Sequence, residues 1–127
     1  MSRSNWTVPP TPDKETIKKI LRGTWDAIHK TAAWFDLVCP LTLTEKQHLF
    51  GSQVRYQIDN LVCGDCVPHG QEYVRENPPE KEIPSIWAWR YHNAVDRRLG
   101  KPEMDWNTYK EIYLVEHPKI CSADCGH

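Results

Sequence analysis

Apolar residues recur every three or four positions along most of this chain, and nowhere do they alternate long enough to read as a strand. Ile17, Ile20 or Leu21, Thr24, Ile28, Ala32 and Phe35 make the first such stripe, down to about Asp36. It starts at Thr11-Pro12-Asp13, which offers a capping hydroxyl, a proline for the first turn and an acid facing the helix dipole. Trp25 and His29 lie one turn apart on a neighbouring face of this helix. Cys39-Pro40 ends it. Thr44-Glu45-Lys46-Gln47 has capping-box spacing, and Phe50, Val54, Ile58 and Leu61 mark a second helix.

The segment Val62-Cys63-Gly64-Asp65-Cys66 reads as a turn into a short third helix, which stops before Asn77-Pro78-Pro79. Pro68 falls in its first turn, where a missing N–H is harmless. A fourth helix opens near Pro84-Ser85 and closes at Gly100, with Pro102 beyond. Trp87, Tyr91, Val95 and Leu99 form its apolar stripe, and Trp89, His92, Asn93 and Asp96 form a second one beside it. Asp105 is placed to cap a short fifth helix through Trp106, Tyr109, Ile112 and Tyr113, with Pro118 past its end. The pattern predicts an all-α fold, an antiparallel four-helix bundle with a short fifth helix. Residues 1–10 read as a flexible N-terminal arm, 11–116 as the domain, and 117–127 as a C-terminal tail.

A length of 127 residues suits a single domain with one core. The formal net charge of -1 gives no electrostatic reason to expect nucleic acid or an anionic membrane as partner. No apolar run approaches the roughly 20 residues that span a bilayer, and the first residues lack the apolar core of a leader. The expected location is the cytoplasm. Six tryptophans, Trp6, Trp25, Trp34, Trp87, Trp89 and Trp106, suit either a small helical core or packing around something large and flat.

Cysteine changes the picture most. The chain has five, Cys39, Cys63, Cys66, Cys121 and Cys125, in a context where structural disulfides are uncommon. A CxxC at a helix N-terminus favours thiolate, and the sulfurs are close enough for a reversible disulfide. The same motif also serves zinc, with Cys121 and Cys125, or His69 and His92, completing four ligands. A tail bearing its own dithiol, Cys121 and Cys125, suits thiol–disulfide exchange with the central pair, and equally a frayed, unpaired terminus. Cys39 reads either as a buried, inert thiol or as a bridge between subunits. His48, His69 and His117 read as surface or structural residues. Two helices each presenting an aromatic beside a histidine, Trp25 with His29 and Trp89 with His92, would frame a slot for a planar, polar ligand. The competing reading is a set of solvated helix faces.

At these residues the sequence resembles the Erv/ALR family of FAD-linked sulfhydryl oxidases. Arg22-Gly23-Thr24-Trp25-Asp26-Ala27-Ile28-His29 is similar to its R-x-T-W-x-x-x-H block, Cys63-Gly64-Asp65-Cys66 stands where the active CxxC stands, and residues 87–102, WAWRYHNAVDRRLGKP, resemble W-x(4)-HNxVN-x-x-LGKP. The last block is the most specific. The resemblance implies FAD held between the helices of the bundle, often in a homodimer. It implies a cofactor site of Arg22, Thr24, Trp25, His29, Cys66, His92, Asn93, Val95, Asp96, Leu99, Lys101 and Tyr109. It also implies that Cys66 sits against the isoalloxazine while Cys63 meets a dithiol protein or a thioredoxin-like carrier. Two electrons then pass through FAD to dioxygen, giving hydrogen peroxide.

Three departures stand out. The second Asn of HNxVN is Asp96, which keeps an acceptor and loses the amide donors. Leu61-Val62 replaces the Tyr-Pro that usually precedes CxxC. Trp89 and Trp106 stand where cellular members carry a structural disulfide, so aromatic packing is expected in its place. These features are most like the minimal versions found in large DNA viruses, which implies a host-cytoplasm or virion location.

Overall fold

The computed structural model describes residues 12–115. Helix α1 spans Lys14–Leu37 and α2 spans Leu43–Asp59; α3 is Cys66–Glu76, α4 is Pro84–Arg98 and α5 is Trp106–Tyr109. A single 3₁₀ turn, Pro79–Lys81, links α3 to α4 and was not expected from the sequence. After α5 the chain continues through one wider, π-type turn at Lys110–Leu114. No strand occurs among the described residues, and no helix of them is long and apolar enough to cross a membrane.

Two helix starts differ from the sequence reading. The cap of α1 is Asp13, whose Oδ1 accepts from the Thr16 N–H at 2.8 Å; Thr11 lies outside the described residues. An ionised carboxylate at this point satisfies an orphan donor and also faces the positive helix end. The box of α2 joins Thr42 to Glu45, not Thr44 to Gln47: Glu45 N donates to Thr42 Oγ1, and Thr42 N donates to Glu45 Oε1. Both pairs have the required spacing, but helix can begin directly after Pro40-Leu41, so the earlier box captures one more half-turn.

The core lies where α1, α2, α3 and α4 meet. Ile28, Ala32 and Phe35 of α1 pack with Phe50, Val54 and Ile58 of α2, Val74 of α3, and Trp87, Ala88 and Tyr91 of α4. Trp87 is fully buried, and its indole N–H donates to Asn77 O at 2.6 Å, which removes the cost of hiding that donor. Phe50 meets Trp87 edge-on, with centroids 6.0 Å apart. Cys39 is a free, buried thiol at the edge of this core.

Three devices set the positions of α3 and α4. At Gly70 of α3, a Cβ would come within 2.7 Å of Ile58 Cγ2 and 2.9 Å of the Tyr91 hydroxyl, so glycine lets α3 sit close to both neighbours. The start of α4 has no capping side chain of its own; instead Ser85 N donates to Asp36 Oδ2 of α1 at 2.8 Å. Burial holds the Asp36 carboxyl above its usual range. Helix α4 ends at Gly100 with φ 73°, where Gly100 N reaches Arg97 O and Lys101 N reaches Asp96 O. That pair of bonds is a Schellman closure, and it turns Lys101 back beside the end of the helix.

Candidate redox cavity

A cavity of about 970 Å³ opens between α1, the CxxC segment and α4. Ligand pockets of roughly 300–1,000 Å³ are typical, so this one suits a large organic molecule. Cys63 and Cys66 open into it and are joined in a disulfide, with Cα atoms 5.2 Å apart. Cys66 is the first residue of α3, and its N–H donates to Cys63 O at 3.0 Å. A sulfur at that point faces the positive end of an eleven-residue helix, which favours its release as thiolate.

Part of the cavity lining is aromatic. The rings of Trp25 and His92 stack, and Tyr91 tilts against Trp25 at 5.1 Å. Leu21, Ile28, Leu61, Val95 and Leu99 supply apolar lining, while Lys18, Arg22, Arg98 and Lys101 bring four cations to the same space. Asp26, Asp65 and Asp96 are the carboxylates there. A flat aromatic ligand carrying anionic groups matches this combination.

Of the expected cofactor residues, Arg22, Thr24, Trp25, Cys66, His92, Val95, Asp96, Leu99 and Lys101 line the cavity. His29, Asn93 and Tyr109 do not. His29 is fully buried behind Trp25 and His92, with Nδ1 2.8 Å from the Tyr109 hydroxyl and Nε2 2.7 Å from His92 Nδ1. Tyr109 is thereby a back support contributed by α5. Asn93 faces the following loop: its Nδ2 donates to Met104 O and its Oδ1 accepts from Met104 N, each at 2.9 Å. Trp89 points the same way, donating to Met104 O at 2.7 Å, and its ring packs on Trp106 at 5.2 Å. The expected stripe of Trp89, His92, Asn93 and Asp96 therefore divides. His92 and Asp96 face the cavity, whereas Trp89 and Asn93 hold the loop that carries Lys101.

Burial, reinforced by the neighbouring His92, holds His29 down to a pKa of about 3. Burial also lowers His92; Asp96 opposes that shift and Lys101 adds to it. The Tyr91 phenol is pushed up to about 12 and Tyr109 higher still, both chiefly by burial. The site is thus a set of neutral rings at neutral pH, flanked by fixed charges.

Lys18, Leu21, Tyr91 and Tyr113 also line the cavity although the sequence alone does not single them out for it, and so does His69, which reads there as a surface or structural residue. Lys18, Leu21, Arg22 and Trp25 share helical spacing, which was the available signal. Tyr113 lies within the π-type turn, which breaks the helical spacing, and so carries none. Cys63, Cys66, His69 and His92 do not form a metal-holding cluster among the described residues. The alternative set with Cys121 and Cys125 lies outside them, as do the arm at 1–10 and the tail at 117–127.

The chain is similar to known proteins in sequence and in fold. The model of the Erv1 / Alr family matches residues 22–114. A FAD-linked sulfhydryl oxidase of African swine fever virus is 36% identical over 59 residues, covering 44% of this chain and 50% of that protein. The mitochondrial FAD-linked sulfhydryl oxidase ERV1 of Saccharomyces cerevisiae is 26% identical over 103 residues, covering 78% of this chain and 52% of that protein. The crystal structure of the yeast Erv1 core superposes with a TM-score of 0.65 at 26% identity, covering 88% of this chain and 92% of that one. The chain spans about half the length of the relatives it matches.

Proposed function

The chain belongs to the Erv1 / Alr family, and from that premise we propose that it is a FAD-dependent thiol oxidase which forms disulfides in dithiol proteins. The observation that carries this reading is the Cys63–Cys66 disulfide opening into a large cavity with aromatic walls and a cationic flank.

The chain's own chemistry is thiol–disulfide exchange. A substrate thiolate attacks Cys63 Sγ, the Cys63–Cys66 bond breaks, and Cys66 leaves as a thiolate stabilised at the N-terminus of α3. The second substrate thiol, as thiolate, attacks the mixed disulfide, so the substrate departs oxidised and the pair is left as a dithiol. When bound, FAD supplies what cysteine lacks, an acceptor for that electron pair and a route to dioxygen, released as hydrogen peroxide. Trp25, Val95 and Leu99 would pack its flat parts, Arg22 and Lys101 would face its phosphates, and Cys66 would lie beside its ring. His29 and Tyr109 hold that wall from behind, and Asn93 holds the loop that carries Lys101.

The substrate in this proposal is a dithiol protein or a thioredoxin-like carrier. The working unit is a homodimer, for which the exposed apolar side chains Trp34, Leu37, Val38 and Leu41 around the end of α1 offer a surface. Cys121 and Cys125 act as a shuttle, and the location is host cytoplasm or virion. A visible spectrum and an oxygen electrode test the proposal. The purified chain should carry flavin absorbance and consume oxygen with dithiothreitol, and both Cys63→Ser and Cys66→Ser should abolish consumption. A colourless protein, or a serine variant with undiminished turnover, overturns it.

A further inference from the structure

Four side chains form a string that ends at the cavity: Tyr109, His29, His92 and Asp96. Tyr109 Oη is 2.8 Å from His29 Nδ1, His29 Nε2 is 2.7 Å from His92 Nδ1, and His92 Nε2 stands 3.8 Å from Asp96 Oδ2. We propose that Asp96 sets the direction of this string, acting as a positioning residue that confines His92 to one tautomer with its Nε2 hydrogen turned toward the carboxylate. The inference rests on the cavity being the flavin site, and it deepens that reading.

Each neutral imidazole carries one ring hydrogen, so the two short contacts admit only two consistent arrangements. In the first, Tyr109 donates to His29 Nδ1, His29 Nε2–H donates to His92 Nδ1, and His92 Nε2–H faces Asp96. In the second, every hydrogen is reversed: His92 Nδ1–H donates to His29 Nε2, and His29 Nδ1–H donates to the Tyr109 oxygen. That leaves the His92 Nε2 lone pair facing a carboxylate, two acceptors with no hydrogen between them. An ionised Asp is acceptor-only, so it disfavours the second arrangement; an Asn could serve either, since its amide both donates and accepts. At 3.8 Å the last contact is longer than a hydrogen bond, and the negative carboxylate favours the ring hydrogen on the nitrogen that faces it.

The surroundings support two neutral rings. His29 is fully buried, and its low pKa keeps it uncharged. The charged groups facing the string are Asp26 on the His29 side, Asp96 and Lys101 on the His92 side, and Asp36 on the Tyr109 side; Tyr113 packs on His29 at 4.6 Å. Asp96 is the carboxylate within ion-pair reach of His92 Nε2. Its consequence for the site is a fixed edge. A ligand meets a donor at His92 Nε2 beside an acceptor at Asp96, with the His92 ring held in the plane that stacks on Trp25.

Nitrogen-resolved NMR of the full chain, labelled with ¹⁵N and kept oxidised, distinguishes the tautomers directly. In the unaltered protein, His92 and His29 should both carry hydrogen on Nε2 and show acceptor-type Nδ1. Asp96→Asn, nearly isosteric and so expected to fold, should release the constraint and bring the Nε2–H share of His92 down to about half, because both directions become allowed. Asp96→Leu should do the same without any partner at that edge. A His92 hydrogen found on Nδ1 in the unaltered chain, or an Asn variant with unchanged ring shifts, overturns the inference. Dithiol-dependent oxygen uptake by the unaltered chain separates this from the function itself. An aligned string without uptake sinks only the oxidase, and uptake without an aligned string sinks only the positioning role.

Discussion

The Trp25 ring lies flat against the His92 ring, with centroids 3.8 Å apart and planes 3° from parallel. One residue comes from α1 and the other from α4, so this stack is where the two helices become a single aromatic wall. Trp25→Ala should weaken FAD binding by about tenfold, matching the upper end of the ~0.5–1.5 kcal/mol attributed to an aromatic pair. Trp25→Phe should retain most of the affinity. Fluorescence titration of flavin-stripped protein checks both.

Protonation of the buried pair should make stability fall in mild acid. His29 titrates near 3 in the folded chain against an ordinary value of 6.5, so the unfolded chain binds the extra proton first. The stability is intact above about pH 6.5 and is lost as pH falls toward the folded value. The slope is ~1.4 kcal/mol per pH unit for this one group. His92 is lowered as well and adds in the same direction. Urea unfolding between pH 7 and 4.5 should show the slope, and His29→Gln should reduce it.

Gly70→Ala should destabilise the chain by ~1–3 kcal/mol, the usual cost of overpacking a tight core. The new methyl would press on Ile58 and the Tyr91 hydroxyl, as the close distances at Gly70 require. Because α3 begins at Cys66, its displacement should also slow dithiol oxidation. Thermal denaturation and turnover should therefore fall together.

Asn93→Asp keeps an acceptor for Met104 N and removes the donor to Met104 O. It sets a buried carboxylate against a carbonyl, and a cost of ~2–3 kcal/mol is expected for the unsatisfied group. The loop bearing Lys101 should loosen. Hydrogen exchange at Lys101 and Met104 should quicken before any other segment responds.

Replacing both Cys121 and Cys125 by Ser tests the shuttle. Oxygen uptake with a small dithiol should persist, while oxidation of a reduced protein substrate should drop by about tenfold or more, as expected when an exchange partner is removed. Equal rates on the protein substrate would mark the tail pair as idle.

Much of the fold is legible in the chain itself. Five helices follow from spacing, because a 3.6-residue repeat of apolar side chains has only one way to be buried. Pro40, Pro84 and Gly100 act as stops and starts through backbone sterics alone. Cap identity was less legible, since Thr42-Glu45 and Thr44-Gln47 satisfy the same local rule and only the geometry after Pro40 separates them.

The candidate site divides along the same line. Residue chemistry and local order marked Cys63, Cys66, Trp25 and His92, since a CxxC before a helix and an aromatic one turn from a histidine are properties of neighbouring positions. Only the tertiary structure assigned Asn93 to the Met104 loop, put Tyr109 behind His29, and aligned His29, His92 and Asp96 in one string. Those outcomes depend on the angle at which α4 crosses α1. That angle is decided by packing among distant residues such as Trp87, Phe35 and Gly70, and so leaves no periodic mark on the sequence.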